Sequence, residues 1–315
     1  MALKLGLFHP IYTYDVQGSD TLVRLGGLAR KAESLGFDSF WLMDHMYQAE
    51  PQGKAPEPVL DSWTAIGALA AVTSRIRLGT LVSANPFRNP DHLAKITATV
   101  DVLSGGRVFL GLGAGWHEEE ARAYGIPFPP VAERLQRLDE AVQVILKMWT
   151  EERASFSGRF YTVRDAYCNP KPVQRPHPPL LVGGSGERKT LKIVSRYADA
   201  CNVSGQPETV RRKLDVLREH CKAVNRDYDS ITKTKTVNLF IYKEREEARR
   251  NLESALKGMT PERIDQYAVW GTPDDILQHI QALKDVGIEY IMLHFEPRRE
   301  AEALELFAEE VATKL

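Results

Sequence analysis

Short apolar runs alternate with segments of helical apolar spacing along this chain of 315 residues. Eight runs read as strands, at residues 3–8, 38–42, 76–82, 108–112, 180–182, 200–203, 234–242 and 290–294. Strands that alternate with helices form a parallel sheet, and eight such units in a chain of this length are typical of a (β/α)8 TIM barrel. We therefore predict an α/β chain with a single barrel domain over residues 1–315.

The alternation breaks between the fourth and fifth strands. Residues 151–179 are rich in proline, glycine and aromatic side chains, and the sequence Phe-Ser-Gly-Arg-Phe-Tyr at 156–161 predicts a hairpin. Because the alternation resumes afterwards, we interpret this segment as an insertion over one end of the barrel and not as a second domain.

Composition excludes several classes of function. A formal net charge of −1 gives no overall electrostatic footprint for nucleic acid, and no apolar run is long enough for a membrane span. The N-terminus has no charged and apolar leader, so we expect a cytoplasmic protein. The three cysteines are far apart and are expected to be reduced. No metal site is predicted, since His117-Glu118-Glu119-Glu120 lacks the second histidine of a zinc-protease motif.

The fourth strand runs into glycines at every second position, Gly111, Gly113 and Gly115. This spacing would leave one face of the strand without side chains, against which a flat ring could lie. The alternative is a tight strand-to-helix turn in which the glycines serve backbone geometry alone.

A barrel places its chemistry at the carboxyl ends of its strands. The polar or glycine-rich residues predicted there are His9, the pair Asp44-His45, residues 83–85, 113–117 and 183–186. The segment 183–186, Gly-Gly-Ser-Gly, precedes a helix predicted to start near Glu187, and amides at a helix start form an anion site. A flexible turn is the alternative interpretation.

These strand ends resemble those of the luciferase-like flavin and deazaflavin oxidoreductases. The resemblance covers nearly the whole chain and rests on Gly-Phe-Asp-Ser-Phe-Trp at 36–41, Arg-Ile-Arg-Leu-Gly-Thr-Leu-Val at 75–82, Gly-Leu-Gly-Ala-Gly-Trp at 111–116 and Gly-Gly-Ser-Gly-Glu at 183–187. It implies an enzyme that binds a flavin-type cofactor at the mouth of the barrel.

The resemblance also assigns roles to single residues. His45 would be the acid or base beside the reactive ring, with Asp44 orienting it or contacting the ring; a capping aspartate next to a surface histidine is the alternative. Leu81-Val82 matches a bulge, sometimes with a non-prolyl cis peptide, that presses on the ring. The remaining cofactor contacts would come from Ser83, Gly113, Ala114, Gly115, Trp116, Gly183, Gly184, Ser185 and Gly186, with the last four at the cofactor phosphate.

The predicted cofactor depends on the residues that follow the fourth strand. FMN-using relatives of bacterial luciferase tend to carry an arginine where Ala114 stands here, so the resemblance favours coenzyme F420 over FMN. Characterised F420 reductases often have a glutamate at the position of Trp116, which leaves the substrate open.

We therefore expect F420-dependent hydride transfer to or from a small organic substrate. The alternatives are an FMN-dependent monooxygenase, supplied by a flavin reductase, and a non-catalytic flavin-binding protein. Relatives also imply a homodimer.

Overall fold

The structure is a computed structural model that describes residues 2–12, 18, 20–48 and 54–315. Its strands are β1 (Lys4–Phe8), β2 (Ser39–Asp44), β3 (Arg77–Ala84), β4 (Val108–Gly113), β5 (Ala154–Ser157), β6 (Thr162–Ala166), β7 (Leu180–Gly183), β8 (Ala200–Asn202), β9 (Thr232–Ile241), β10 (Ala268–Gly271) and β11 (Tyr290–Phe295). Its α-helices are α1 (Thr21–Ser34), α2 (Ser62–Val72), α3 (Pro90–Ser104), α4 (Glu118–Ala123), α5 (Val131–Thr150), α6 (Thr190–Tyr197), α7 (Pro207–Ala223), α8 (Arg245–Ala255), α9 (Pro261–Tyr267), α10 (Pro273–Asp285) and α11 (Glu300–Glu310).

Eight parallel strands close into a barrel in the order β1-β2-β3-β4-β7-β8-β9-β11, with β11 pairing back onto β1. Helices lie between successive strands, so the predicted (β/α)8 TIM barrel is confirmed. Every predicted strand corresponds to a barrel strand. Because all eight strands are parallel, their carboxyl ends meet at one mouth. Among the described residues, no helix combines the length and the apolar character that a membrane span requires.

The inside of the barrel is filled by side chains. Trp41, Phe109, Leu181, Tyr290 and Met292, from four of the strands, form a buried apolar cluster. The guanidinium of Arg77 covers the lower end of this cluster and lies 3.9 Å from the centroid of the Phe109 ring. The interior is thus a packed core, and ligands can reach only its upper end.

Strand β3 bulges inward against β4. The register between these strands shifts between Gly79 and Ser83, and the Leu81-Val82 peptide is cis. The bulge needs the glycines of β4: a Cβ atom on Gly111 would lie 2.0 Å from the carbonyl oxygen of Thr80. Above Phe109, the inner face of β4 therefore carries no side chains, because Thr80 and Val82 of β3 occupy the space at Gly111 and Gly113. The prediction that a ring would lie directly on this bare strand is wrong.

Residues 151–179 lie between α5 and β7 and contain the predicted hairpin, formed by antiparallel β5 and β6. The carboxylate of Glu140 in α5 accepts hydrogen bonds from the backbone N–H groups of Arg159, Phe160 and Tyr161 in the hairpin turn. Farther along, the side-chain amide of Gln174 donates to the carbonyl of Val108, at the start of β4. The segment therefore spans from the hairpin on α5 to the lower end of the barrel.

Two features differ from the sequence-based expectation. Strand β10 and helices α8 and α9 lie between the last two barrel strands, and β10 pairs with the upper half of β9. This strand has four residues and no apolar alternation, so periodicity does not reveal it. Helix α6 begins at Thr190 and not near Glu187, because residues 187–189 form a turn.

The contact between β3 and Gly111 predicts a stability difference. Gly111→Ala should lower the free energy of unfolding by about 2 kcal/mol or more, since the new methyl group meets backbone that cannot rotate away. Gly67→Ala is the control, because Gly67 lies in α2 with no heavy atom within 4 Å of its added Cβ. That change should leave stability equal or raised by up to about 1 kcal/mol. Urea unfolding of both variants measures the difference, and equal stabilities would contradict the packing described here.

Candidate active site

The floor of the barrel mouth is apolar. Phe8, Leu81 and Val82 are half-buried and pack on top of the interior cluster. The methyl groups of Val82 cover Gly113 and Gly183: Cβ atoms built there would lie 2.8 and 2.9 Å from them. The two glycines therefore let the bulge of β3 reach across the mouth, and we call Phe8, Leu81 and Val82 the apolar floor.

His45 stands at the end of β2 with its ring held by a buried carboxylate. Its Nδ1 atom lies 2.6 Å from Oε2 of Glu120 in α4, and the other oxygen of Glu120 accepts the backbone N–H of Met46. The Glu120 side chain is fully buried, whereas that of His45 is 14% exposed. With Nδ1 engaged, Nε2 is the nitrogen of His45 that a ligand at the mouth can contact.

The same carboxylate contacts a second imidazole. Nδ1 of His117 lies 3.3 Å from Oε2 of Glu120, one helical turn along the chain. Burial opposes ionisation of Glu120, but the hydrogen bond from His45, its charge, and the Met46 N–H outweigh burial and hold the pKa of Glu120 below its ordinary value. Glu120 is thus an anion that fixes the orientation of His45.

Asp44 does not contact the ring of His45. Its carboxylate accepts two hydrogen bonds from the guanidinium of Arg88, at 2.8 and 2.6 Å, and one from the hydroxyl of Ser62 at 2.7 Å. Asp44 is buried, and these partners belong to α2 and to the segment before α3. The orienting role expected of Asp44 therefore falls to Glu120, and Asp44 joins the end of β2 to its neighbours.

Trp116 follows the glycine turn and is 58% exposed, so it does not anchor the turn in the core. Its indole stacks on the His117 ring, with centroids 4.9 Å apart, and its edge meets His45 at 5.5 Å. Ala114 and Gly115 are half-buried, and Gly115 has a φ of 78°. Trp116 is therefore an exposed aromatic surface beside His45.

Ser83 points away from the mouth. Its buried hydroxyl accepts from the indole of Trp63 at 3.0 Å and donates to Thr80 at 3.2 Å. Asn85, two residues later, donates to the hydroxyl of Tyr161, and its buried side-chain oxygen has no hydrogen-bond partner. Asn85 is thus a better candidate than Ser83 for a polar contact with a ligand.

The turn after β7 meets a partly buried cation. The hydroxyl of Ser185 accepts from the ammonium of Lys213 in α7 at 2.8 Å and lies 2.9 Å from the hydroxyl of Ser204. Desolvation lowers the pKa of Lys213, which forms no salt bridge within the described ranges. Gly184 has a φ of 100°, which suits glycine. Residues 183–186 therefore combine a glycine-rich turn, hydroxyl groups and an ammonium.

One set of side chains in the described part of the chain has the composition of a metal site. The potential ligand atoms of His45, His117 and Glu120 all lie within 4.8 Å of one another. Hydrogen bonds to Glu120 already account for this clustering.

Sequence reasoning identified His45 but missed Glu120. The run Glu118 to Glu120 forms the first turn of α4, where carboxylates are favourable, and this explains the exposed first two. Glu120 alone is buried, and its spacing of three from His117 places both on one face of α4. The spacing of three residues between His117 and Glu120 was the feature of the sequence that could have identified Glu120.

A (β/α)8 barrel with a carboxylate-held histidine at its mouth is an architecture of many enzymes, and comparison with known proteins narrows the class. The family model described as luciferase-like monooxygenase matches residues 3–265. This chain belongs to that family.

Individual relatives differ in cofactor. The chain is 28% identical over 326 residues to an F420-dependent glucose-6-phosphate dehydrogenase of Microbacterium testaceum, covering 95% of this chain and 94% of the relative. It is 29% identical over 310 residues to an FMNH(2)-dependent dimethylsulfone monooxygenase of Pseudomonas putida, covering 85% and 82%. Among solved structures, an F420-dependent secondary alcohol dehydrogenase in complex with an F420-acetone adduct superposes with a TM-score of 0.84 at 21% identity, over 100% of both chains. That last likeness concerns the fold.

The lowered pKa of Glu120 predicts a pH-dependent contribution to stability. Because the folded-state pKa of Glu120 is below its ordinary value of 4.5, ionised Glu120 stabilises the fold above pH 4.5, and this contribution is lost as the pH falls through the lower folded-state value. Glu120→Gln should therefore lower the free energy of unfolding by about 1–3 kcal/mol near pH 7, with a smaller difference below pH 4.5.

Chemical denaturation across this pH range measures the effect. Glu119→Gln is the matched control, since Glu119 is the exposed neighbour in the same helix and should change stability by less than about 0.5 kcal/mol. A Glu120→Gln deficit that grew with acidification would show that the sign is wrong.

Proposed function

We propose that this protein is a coenzyme F420-dependent oxidoreductase that transfers hydride between the deazaflavin ring and a small organic substrate. The main support for this proposal is the position of His45, whose ring is held at the barrel mouth by the buried anion Glu120, next to the apolar floor. Relatives named above use F420 or FMN, so a flavin or deazaflavin is the class of cofactor that the family supports.

The apolar floor fits the face of a tricyclic ring. Phe8, Leu81 and Val82 present a half-buried apolar surface at the centre of the mouth, and its upper rim carries polar groups such as Asn85 and His45. Ligand sites combine an apolar lining with a few placed polar groups. When bound, the deazaflavin supplies the carbon that accepts or releases hydride.

His45 would hold or move the proton that accompanies hydride transfer. Glu120 accepts from Nδ1, which orients the ring, while Nε2 is left for the substrate oxygen or another proton-carrying atom. Trp116, beside His45 and largely exposed, would cover the substrate and restrict the access of water.

The phosphate of the cofactor would bind at residues 183–186. A phosphate there could accept hydrogen bonds from backbone N–H groups of the turn and from the Ser185 hydroxyl. The ammonium of Lys213, 2.8 Å from that hydroxyl, would supply the opposite charge. Because α6 starts only at Thr190, a three-residue turn separates this site from the helix. The phosphate would therefore be bound mainly by the turn amides and Lys213, with a smaller contribution from the helix dipole.

The choice of F420 over FMN rests on the turn after β4. Ala114, between two glycines, offers no side chain with which to contact a cofactor phosphate or ring, which is the pattern that favours F420. An FMN-dependent monooxygenase, which would need a flavin reductase as partner, and a non-catalytic flavin-binding protein are the alternatives. The homodimer and the cytoplasmic location stay predictions.

Cofactor preference can be measured by fluorescence titration of the cofactor-free protein with oxidised F420 and with FMN at matched ionic strength. We expect F420 to bind at least about tenfold more tightly, a difference of roughly 1.4 kcal/mol. The reverse preference would overturn the F420 assignment and favour the monooxygenase.

Replacing the proposed acid or base separates enzyme from binder. His45→Asn should lower kcat by about 10²- to 10⁴-fold, with a substrate found by screening small molecules for oxidation or reduction of F420, because proton transfer is lost. The Kd for F420 should change little, since the apolar floor and the phosphate site are intact. His92→Asn, at an exposed position of α3, is the control and should keep full turnover. Unchanged turnover in His45→Asn would remove the catalytic assignment.

A further inference from the structure

A basic groove runs along the outside of the barrel between α5, the β5–β6 hairpin turn and α6. Its volume is about 580 Å³. Five of its lining residues are cationic: Arg159, Arg188, Lys189, Lys192 and Arg196. We call this the α5–α6 groove. The whole chain has a net charge of −1, so this concentration of cations does not reflect a generally basic protein.

The two carboxylates that line the groove, Asp139 and Glu140, offset only part of its five positive charges. Both oxygens of Glu140 are occupied by the backbone N–H groups of the hairpin turn. Asp139 lies 3.9 Å from a guanidinium nitrogen of Arg196, and burial raises its pKa. Arg188, Lys189 and Lys192 form no salt bridge with any described residue. The groove therefore keeps a surplus of positive charge that is available to a ligand.

One end of the groove adjoins the mouth of the barrel. Arg188 and Lys189 follow the proposed phosphate site at 183–186 after one intervening residue, Glu187. On the opposite wall, the hairpin turn is attached to the mouth by the hydrogen bond of 3.0 Å from Asn85 to the Tyr161 hydroxyl. An anionic chain that starts at the phosphate site would enter the groove without crossing the barrel.

The cations then continue away from the mouth along α6. Lys189, Lys192 and Arg196 are separated by three and four residues, so they lie along one face of the helix. At a rise of about 1.5 Å per residue, successive side chains are about 4.5 and 6 Å apart along the axis, which suits regularly repeated negative charges. A compact anion such as a single phosphate would engage only part of this row.

We propose that the α5–α6 groove binds the oligoglutamate tail of coenzyme F420. This inference rests on the proposed function and adds a binding site for the part of the cofactor that FMN lacks. The tail carries one carboxylate per glutamate and is attached beyond the phosphate, so its charge and its point of attachment both match the groove. Partly exposed ion pairs contribute roughly 0.2–1 kcal/mol each, a factor of about 1.4 to 5 in affinity.

The test compares F420 without glutamates, F420 with a tail of several glutamates, and FMN. With wild-type protein at low salt, the long tail should tighten F420 binding by about tenfold, and added salt should reduce this gain. The double variant Lys189→Glu/Lys192→Glu should lose most of the gain while binding tail-less F420 as wild type does. The double variant Lys243→Glu/Lys257→Glu makes the same charge change at exposed positions outside the groove and should keep the gain.

The outcomes separate this inference from the proposed function. If both forms of F420 bind wild type equally well, the groove does not bind the tail, while the F420 assignment stands. If FMN binds and neither form of F420 does, the proposed function fails and the inference with it. Loss of the gain in the Lys243/Lys257 control would show that net charge, not the groove, sets the dependence on the tail.

Discussion

The close packing of β3 against glycines of its neighbours determines the shape of the barrel mouth. Thr80 and Val82 fill the space above Gly111, Gly113 and Gly183, where no Cβ atom could be accommodated without displacement. This contact lets the Leu81-Val82 bulge extend over the interior cluster and form the apolar floor. The polar groups of the strand ends, His45 among them, are then arranged around a surface that suits a flat ring.

Much of this architecture could be predicted from the sequence, because eight apolar runs at parallel-strand spacing leave few alternatives to a barrel. Once the strands were predicted, their carboxyl ends were too, and His45 and the turn at 183–186 lie at two of these ends. The glycines of β4 were recognised, but their partner was not, since the contact of Gly111 with Thr80 depends on a register shift between two strands. Strand β10 was not predicted because its four residues are too few to show a periodic pattern of apolar side chains.

Contacts between residues far apart in sequence also explain why Glu120, and not Asp44, orients His45. Asp44 is adjacent to His45 in sequence, but neighbours in a strand point to opposite faces, so Asp44 turns toward Arg88. Glu120 is 75 residues away from His45 and reaches it only because α4 folds over the end of β2. Long-range contacts of this kind follow from the closed barrel and are not encoded in local pattern.

The proposed chemistry depends most on the relation between the apolar floor, the cofactor ring and His45. A crystal structure of the protein with bound F420 tests it most directly. We predict that the ring lies on Phe8, Leu81 and Val82, that Nδ1 of His45 keeps its contact with Glu120, and that Nε2 faces the reactive side of the ring. A ring bound away from this floor, or a His45 whose Nε2 is turned into the protein, would contradict the account.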